Sequence, residues 1–395
     1  MDPARPRERT TRKRPTASPK ANSRLHACTM KTISLSRPMA AVFQRPRALV
    51  LATQHVRFHN TSGVGPHGAR VARKVHHADI AHPRFLVEPR KAAILGAPMT
   101  WGQPKAGTDT GPDMLRQAGL STELGNLGWE VEDMGDITFV PPSASDPQGE
   151  AKYVNQMKNC YAVGKGCQQV FERVSKQAAA GKFVLTVGGD HSIGAGTVAG
   201  ILQARPNTGV IWVDAHADIN TPDVSESGNI HGMPVAFLMR LIDPRKYPGW
   251  EWMASTPVLR PQQLVYIGLR DVDAAERVIL KDMGITCFTM QHVDKYGIGR
   301  VMEMTLDHLA GRPLHCSYDI DGVDPAFAPS TGTAVRGGLT FREAHYVVEA
   351  VSESGHLGSL DMVEVNPGLG TFEESKETIE MGLALVASAM GSRIV

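Results

Sequence analysis

The chain has 395 residues and a formal net charge of +2. That charge is unevenly distributed: residues 1–84 carry 17 Lys and Arg against 3 acidic residues, whereas residues 85–395 carry 25 against 37. The lack of any run of about 18 apolar residues excludes a membrane-spanning helix. The odd count of five cysteines, without a CxxC pair, argues against a disulfide framework. The acidic composition of residues 85–395 argues against nucleic-acid binding by this part of the chain.

Residues 1–84 are predicted to be a basic extension without a packed core. Residues 1–20 are rich in Pro and Arg and show no apolar periodicity, so we expect disorder. Between Lys31 and Asp79 there is no acidic residue, while Arg and Ser recur, which is typical of a mitochondrial transit peptide. A disordered tail on a cytoplasmic protein is the main alternative. A nucleic-acid-binding arm is less favoured, because aromatic residues do not alternate with the charges.

Residues 85–395 are predicted to form one catalytic domain in which strands and helices alternate. Apolar runs predict strands near residues 91–97, 129–134, 183–187, 209–213, 264–268, 285–288, 314–321 and 357–365. Helical periodicity predicts helices near residues 114–127, 156–180, 192–204, 233–242, 274–283, 300–310, 340–354 and 371–390. Strands that are apolar on both faces favour a mostly parallel sheet covered on both sides, a three-layer α/β/α fold. Such sheets bind ligands at the carboxyl ends of their strands.

Four of these predicted strand ends carry ionisable side chains. The side chains are His191 after residues 183–187, Asp214, His216 and Asp218 after residues 209–213, Asp319 and Asp321 at the end of residues 314–321, and Glu364 at the end of residues 357–365. Side chains at positions i and i+2 of a strand share a face, so Asp319 and Asp321 point the same way. The four aspartates would repel one another if buried unpaired, which makes a cation the natural occupant.

Six protein ligands, of which two are imidazoles, indicate a pair of divalent ions. A single Zn²⁺ uses fewer ligands and a structural zinc site uses thiolates, whereas paired ions ~3.5–4 Å apart share carboxylates. Oxygen-rich ligation with some imidazole suits Mn²⁺. A calcium loop at residues 319–324 is disfavoured, because the twelfth position is Ser330 and not Glu. A dinucleotide fingerprint near Gly194 is disfavoured because its last glycine falls at residue 200 and not 199.

Three motifs resemble the metal motifs of the ureohydrolase family, in the same order. They are Gly-Gly-Asp-His-Ser (188–192), Val-Asp-Ala-His-Ala-Asp-Ile-Asn (213–220) and Ser-Tyr-Asp-Ile-Asp-Gly-Val-Asp-Pro (317–325). Within that family, the segments at residues 218–222, 227–235 and 268–273 resemble arginases, with fungal arginases among them. The resemblance runs from about residue 92 to residue 389. It implies an arginase-like fold and a dimanganese hydrolase that cuts L-arginine into L-ornithine and urea.

The resemblance also implies a role for each metal-motif residue. His191 and Asp218 would hold one manganese ion, His216 and Asp321 the other, and Asp214 and Asp319 would bridge them. A water between the ions, acidified by both, would attack the guanidinium carbon as hydroxide.

The proton and guanidinium contacts follow from the same resemblance. His231 would pass a proton to the leaving amine, because imidazole titrates in the needed range. Glu364 would pair with the guanidinium, and Thr333 would orient Glu364. The predicted catalytic set is therefore His231, Glu364 and the metal ligand Asp218.

Recognition of both α-substituents of arginine is implied as well. The assigned residues are Asn220, Ser225 and Ser227 for the α-carboxylate, Asp273 with Glu276 through water for the α-ammonium, and Asn229 and Thr333 as further substrate contacts. Sites of this kind reject a ligand that lacks the matching group, often by ~10⁴-fold. Agmatine, which has no carboxylate, is therefore expected to be a poor substrate.

Two other functions stay open. A sister amidinohydrolase for agmatine or guanidinobutyrate would lack the arrangement of Asn220 and Ser227. A silent binding protein, for example a regulator of ornithine carbamoyltransferase, would have lost a metal ligand, whereas all six are present. We also expect a homo-oligomer, a trimer or a hexamer, with Arg342 and Glu349 among its contacts.

Overall fold

The protein is described here from a computed structural model, which covers residues 83, 85–142, 153, 154 and 156–393. The predictions of disorder and of targeting for residues 1–84 lie outside the described residues, apart from residue 83, and the boundary at residue 84 stays a prediction. Over the described residues, none of the helices has the length and apolar character needed to cross a membrane.

A parallel sheet of eight strands forms the centre of the fold. Its strands are β1 Lys91–Ala97, β2 Glu130–Asp136, β5 Phe183–Gly188, β6 Gly209–Val213, β7 Leu264–Leu269, β8 Thr286–Thr289, β9 Leu314–Asp319 and β10 Leu357–Val363, and a separate hairpin contains β3 Tyr153–Val154 and β4 Met157–Lys158. The order in the sheet is β2-β1-β5-β10-β9-β6-β7-β8, and neighbouring strands run parallel. The predicted α/β class with a mostly parallel sheet is confirmed.

Helices connect these strands. They are α1 Gly111–Gln117, α2 Leu120–Asn126, α3 Cys160–Ala179, α4 Gly194–Ala204, α5 Pro234–Leu238, α6 Ala274–Met283, α7 Met290–Tyr296, α8 Ile298–His308, α9 Phe341–Glu353 and α10 Phe372–Ala389. The single helix predicted at residues 114–127 is wrong: Gly119 has φ 101° and separates α1 from α2. Glycine adopts this left-handed conformation without steric cost, so it ends one helix and begins the next. Helix α7 was not predicted, and α5 is shorter than expected.

Two apolar cores lie on opposite faces of the sheet, which produces three layers. Along β6, Val210 and Trp212 pack into the core on the side of α3, α4 and α5. The alternate residues Ile211 and Val213 pack into the core on the side of α8, α9 and α10. Because successive side chains of a strand point to opposite faces, a strand with no polar face is buried on both sides.

The four central strands β5, β10, β9 and β6 are neighbours in the sheet, although β5 and β10 are far apart in the chain. Their carboxyl ends therefore meet at one edge. That edge holds the candidate site.

Candidate active site

The loops after the central strands bring the six predicted metal ligands together. They are His191 after β5, Asp214, His216 and Asp218 after β6, Asp319 at the end of β9, and Asp321 in the 3-10 turn Ile320–Gly322 that follows β9 instead of in the strand predicted to residue 321. Five of them are buried, and His216 keeps 23% of its side chain exposed. The prediction that these strand ends converge is confirmed by the strand order.

Three carboxylates surround the imidazole of His191. Its Nδ1 lies 3.1 Å from a carboxylate oxygen of each of Asp214, Asp218 and Asp319. Its plane stacks on Trp212, with ring centroids 4.1 Å apart. The ring is thereby held with one nitrogen facing the carboxylate cluster.

A second group forms around His216. Its Nδ1 lies 3.3 Å from Asp214 Oδ1 and 3.2 Å from Asp321 Oδ2. Asp214 belongs to both groups, since its Oδ2 faces His191 and its Oδ1 faces His216. Two sets of three residues, His191 with Asp214 and Asp319 and Asp214 with His216 and Asp321, each offer one ligand atom per residue such that these atoms lie within 4.8 Å of one another. The structure thus contains two adjacent ligand sets that share one carboxylate.

The electrostatics of this cluster favour a cation. Burial and the charge of the neighbouring Asp214 raise the pKa of Asp218 to about 6. Burial and the charges of Asp321 and Asp214 raise the pKa of Asp319 well above its usual range. Carboxylates in such surroundings retain protons unless positive charge compensates them.

The pKa values of the two imidazoles are also raised, which favours their charged form. Burial alone lowers the pKa of His191, but hydrogen bonds to three carboxylates outweigh burial and leave the pKa well above its ordinary value. The pKa of His216 is raised in the same way, since Asp321 and Asp214 outweigh its burial. A donor set of four carboxylates and two imidazoles, divided into two groups, fits a pair of divalent metal ions, and its oxygen-rich character suits Mn²⁺.

Two site residues have backbone conformations that non-glycine residues seldom adopt. Asp218 has φ 52° and Glu364 has φ 61°. A left-handed conformation costs roughly 1–2 kcal/mol for such a residue. In each case the turn aims a carboxylate of a strand-end loop into the site.

Two supporting residues were missed by the sequence analysis. Trp212 donates from Nε1 to Asp214 Oδ2 at 3.0 Å. Asp190, which is fully buried, accepts the backbone N–H of Gly102 at 2.8 Å, and Gly102 in turn accepts the backbone N–H of His231 at 3.0 Å. Asp190 lies inside the first metal motif beside a ligand, and that position was the signal available for it.

A polar cavity of about 150 Å³ opens beside the two ligand groups. It is lined by His216, Asp218, Asn220, Ser227, His231, Asp271, Asp273, Glu276, Asp319 and Thr333. Most of these residues are ones for which a substrate or metal role was predicted. Asp271 is an additional acidic residue at the opening, 66% exposed and 4.0 Å from His216 Nε2.

His231 and Glu364 form an ion pair next to the cavity. His231 Nδ1 lies 3.1 Å from Glu364 Oε1, which also accepts the backbone N–H of His191 at 2.9 Å. Burial lowers the pKa of His231, but Glu364 and then Asp218 raise it above the ordinary value. The second oxygen of Glu364, Oε2, is buried and has no hydrogen-bond partner among the described residues.

The predicted α-substituent contacts Asn220 and Asp273 are in direct contact. Asn220 Nδ2 donates to Asp273 Oδ2 at 2.9 Å, while Asn220 Oδ1 is buried and unpartnered within the part of the chain that the structure describes. Glu276 accepts the backbone N–H groups of Ile219 and Asp273, both at 3.0 Å. Burial raises the pKa of Glu276 to about 7.

Three predicted contacts lie in the loop that carries His231. Ser227 lines the cavity, and its Oγ accepts the backbone N–H of Asn229 at 3.2 Å. Ser225 is buried and accepts the backbone N–H of Gly228 at 3.0 Å, so its hydroxyl supports the loop. Asn229 accepts Lys158 Nζ at 3.1 Å. The substrate roles of these three residues stay predictions.

The expected orientation of Glu364 by Thr333 is wrong. Thr333 Oγ1 donates to Asp321 Oδ2 at 2.8 Å, so it supports a predicted metal ligand. The loop presents Gly332 to Glu364 instead, since a Cβ built on Gly332 would lie 3.7 Å from Glu364 Oε2. Thr333 is one residue further along and reaches the neighbouring strand end.

Comparison with known proteins agrees with this geometry. Residues 90–391 match the Arginase family. An arginase of Glaciozyma antarctica is 48% identical over 316 residues, 79% of this chain and 90% of the relative. Arginase-1 of Homo sapiens is 44% identical over 308 residues, 76% of this chain and 93% of the relative. Among solved structures, the arginase from Bacillus caldovelox superposes with a TM-score of 0.71 at 37% identity, over 78% of this chain and all of that chain.

Proposed function

Because the chain belongs to the arginase family, we propose that its two ligand groups hold two manganese ions and serve arginine hydrolysis. The enzyme is an amidinohydrolase, which hydrolyses L-arginine to L-ornithine and urea at a C–N bond. Family membership establishes the reaction and a binuclear metal centre. The identity of the ions and the roles of individual residues are the proposal.

In the proposed site, His191, Asp218, His216 and Asp321 would each hold one ion, and Asp214 and Asp319 would hold both. The two oxygens of Asp214 support this division, since they face different imidazoles. When bound, the metal pair lowers the pKa of a water towards neutrality and so supplies the hydroxide that hydrolysis requires.

Glu364 binds the guanidinium of arginine in this proposal. Its Oε2 is a buried acceptor without a partner among the described residues, and a buried acceptor left unpaired costs stability. A guanidinium presents several N–H donors in a plane and satisfies such an oxygen well. This unpartnered oxygen, beside two metal-ligand groups, is the observation that carries the proposal.

His231 delivers the proton that the leaving amine needs. Its Nδ1 is held by Glu364, and the carboxylates around it raise its pKa, so the imidazole stays protonated to higher pH than a free histidine. A protonated imidazole at the cavity wall is a suitable general acid for an amine leaving group.

The outer part of the cavity binds the α-substituents. Asp273 takes the α-ammonium, assisted by Glu276 through water. The Nδ2 group of Asn220 keeps one proton for the α-carboxylate after donating its other to Asp273. Ser225, Ser227 and Asn229 belong to the loop that completes this end of the site.

The first experiment is urea release by the manganese-loaded full chain from L-arginine and from agmatine. We expect a strong preference for arginine, because the polar groups at the outer end are left unpaired by agmatine. Agmatine used equally well would overturn the assignments of Asn220, Ser227 and Asp273 while leaving the metal centre. No urea from either substrate, with two ions bound, would favour the binding-protein alternative.

We further propose that residues 1–84 direct the enzyme to mitochondria. The support for this targeting role is the composition of the segment, in which basic residues greatly outnumber acidic ones. A fluorescent protein fused behind residues 1–84 should enter mitochondria, and a matched fusion with Arg37, Arg45 and Arg47 changed to Glu should not. Cytoplasmic fluorescence of the unchanged fusion would overturn this targeting role in favour of the cytoplasmic alternative.

A homo-oligomer, trimer or hexamer, is also proposed. Helix α9 exposes Phe341 and Tyr346, with 48% and 43% of their surface accessible, beside Arg342 and Glu349. Aromatic residues and Arg are enriched at protein interfaces, so Phe341, Tyr346 and Arg342 support a subunit interface on this helix. Light scattering should give a mass of three or six chains, reduced by Arg342→Glu. A monomeric mass for the unchanged enzyme would contradict the proposal.

We also propose that the enzyme contacts another protein, ornithine carbamoyltransferase. Its substrate ornithine is a product of this reaction. Co-sedimentation of the two purified enzymes tests the contact, and independent sedimentation would remove it.

A further inference from the structure

A stripe of polar side chains runs down one face of the two central strands, beneath the candidate metal site. It consists of His315 and Ser317 on β9 and Ser359 and Asp361 on β10, and we refer to these four residues as the polar stripe. Each is at most 1% exposed. Strand pairing places Ser359 beside His315 and Asp361 beside Ser317.

The position of the polar stripe follows from strand periodicity. Cys316, Tyr318, Leu360 and Met362 alternate with its members and belong to the core on the side of α8, α9 and α10. The stripe therefore faces the opposite layer, where α4 covers it. On β9 the same face continues from His315 and Ser317 to Asp319, a predicted metal ligand. The proposed function assigns no role to His315 or Asp361.

Asp361 is the acceptor at the centre of this network. Its Oδ2 accepts Thr197 Oγ1 of α4 at 2.5 Å, His315 Nε2 at 3.1 Å and Ser317 Oγ at 3.3 Å. His315 Nδ1 lies 2.9 Å from Ser359 Oγ on the far side. A buried carboxylate is tolerated when donors surround it in this way.

The network connects to the metal site through Ser317. Its Oγ lies 2.9 Å from Nε2 of His191, the ring nitrogen that faces away from the carboxylate cluster. Ser317 Oγ donates its single hydroxyl proton to Asp361 Oδ2. Ser317 must therefore accept from His191 Nε2, so Nδ1 is the nitrogen that would present a lone pair when His191 holds a metal ion.

We propose that Asp361 is a positioning residue of the metal centre: through Ser317 it sets the tautomer and orientation of His191, while His315 and Thr197 hold Asp361 in place. The inference rests on the dinuclear site of the proposed function. Histidine ligands are commonly oriented by a partner on the second ring nitrogen, and loss of that partner weakens metal binding about 10–100-fold. Asp361 lies one residue further from the ion than such a partner, because it acts on His191 through Ser317.

The test is manganese titration of the metal-free full chain, followed by calorimetry and by the exchange-coupled electron paramagnetic resonance signal of paired ions. The unchanged protein should bind two equivalents. Asp361→Asn preserves the shape of the side chain, but its amide can donate a hydrogen bond to Ser317. Ser317 is then no longer required to accept from His191 Nε2. We expect one equivalent to bind about 10–100-fold more weakly in this variant, with a weaker coupled signal.

Ser359→Ala is the matched control, because Ser359 belongs to the same buried stripe but contacts His315 on the side away from Ser317. Both ions should bind this variant as they bind the unchanged protein. If Ser359→Ala weakens metal binding as much as Asp361→Asn does, the stripe has only a structural role and the inference is overturned. Unchanged metal affinity in Asp361→Asn overturns it as well.

A double variant tests the route through Ser317. If Asp361 acts through this residue, Asp361→Asn adds no further loss of affinity to Ser317→Ala, whereas additive losses overturn the relay. Should Asp361→Asn fail to fold, Ser317→Ala alone decides, since it leaves Asp361 paired with Thr197 and His315; unchanged affinity then refutes the inference. If the unchanged protein binds fewer than two equivalents of manganese, the dinuclear proposal and the role of Asp361 are both overturned. This failure is distinguished from failure of the Asp361 inference alone because it is seen in the unchanged protein.

Discussion

A single carboxylate joins the two halves of the candidate site. Asp214 faces His191 with one oxygen and His216 with the other, and Trp212 donates to the first of these oxygens. Hydrogen bonds to the two imidazoles outweigh the burial of Asp214 and lower its pKa, so this carboxylate stays ionised. Removal of any residue around it is expected to alter both ligand groups, because they share this acceptor.

His216→Ala should bind one metal ion fewer than the unchanged enzyme and should lose most of the activity. The substitution removes the imidazole of the second ligand group but leaves the group around His191 complete, so the measured metal content should fall from two ions to one. The loss in kcat should exceed the ~100-fold typical of an outer-sphere change. The matched control is His308→Ala, an exposed histidine at the end of α8, which should retain both ions. Full activity with two ions in His216→Ala would refute the ligand assignment.

Asp273→Asn should raise the KM for L-arginine about 10–100-fold, because a hydrogen bond to a charged group contributes ~1.5–3 kcal/mol. Asparagine caps a helix as well as aspartate does, so α6, which begins after Asp273, should remain intact. Steady-state kinetics with arginine checks the change. Asp282→Asn removes the same charge from the exposed side of α6 and should leave KM unaltered. An unchanged KM in Asp273→Asn would remove this residue from substrate recognition.

At the scale of elements, helix α3 packs closely against the segment that follows α5. Trp250 Nε1 donates to the backbone carbonyl of Cys160 at 3.0 Å, and Trp252 Nε1 donates to that of Gly164 at 3.0 Å. A Cβ on Gly164 would lie 2.6 Å from the Trp250 ring. Glycine is therefore required here by close approach, although it weakens an isolated helix.

Gly164→Ala should lower the free energy of unfolding, since displacing the buried Trp250 outweighs the ~1 kcal/mol that alanine adds to a helix. We expect a net loss of about 1–3 kcal/mol, measured by denaturant unfolding. Gly125→Ala provides the control, because Gly125 lies inside α2 with nothing within 4 Å of the added Cβ. That variant should be stabilised by about 0.5–1 kcal/mol. Equal effects of the two substitutions would contradict the packing argument.

At the scale of the whole molecule, metal binding and folding are coupled through the buried carboxylates. A ligand that binds only the folded state stabilises it by about 2.7 kcal/mol at 100 times its dissociation constant. Each ion also compensates carboxylates that are otherwise buried close together. Removal of the metals should therefore destabilise the domain and not merely inactivate it.

Treatment with a chelator should lower the Tm, and manganese affinity should depend on pH. Asp218, with a pKa raised to about 6, carries a proton in the metal-free protein below pH 6, and that proton must leave when a metal binds. Affinity should fall by at least about tenfold per pH unit below pH 6. It should keep rising with pH above 6, because the raised pKa values of His191 and His216 mean that these ligands also lose a proton when a metal binds. Titrations between pH 5 and 8 check this, with Glu276→Gln as a control that should retain the fall below pH 6. Affinity independent of pH below 6 would contradict it.

The chemistry of the site could be predicted from sequence because it is encoded locally. Strand periodicity predicted where the central strands end, and the acidic and imidazole side chains follow those ends directly, so the ligand set needed no tertiary information. The family resemblance supplied the substrate and the prediction of manganese. Local patterns were less reliable for α5 and α7, which are short, and at Gly119, where one glycine divides a predicted helix into two.

Sequence alone thus determined the alternation of strands and helices, the strand ends that carry ligands and the family to which the chain belongs. Only the tertiary structure decided the order of the strands, which brings β5 and β10 side by side, and therefore the partners of individual side chains. It placed Thr333 on Asp321 and Asp361 behind Ser317. Periodicity shows which face of a strand a residue occupies, but contacts between distant segments depend on how the two apolar cores pack, and no local pattern records that.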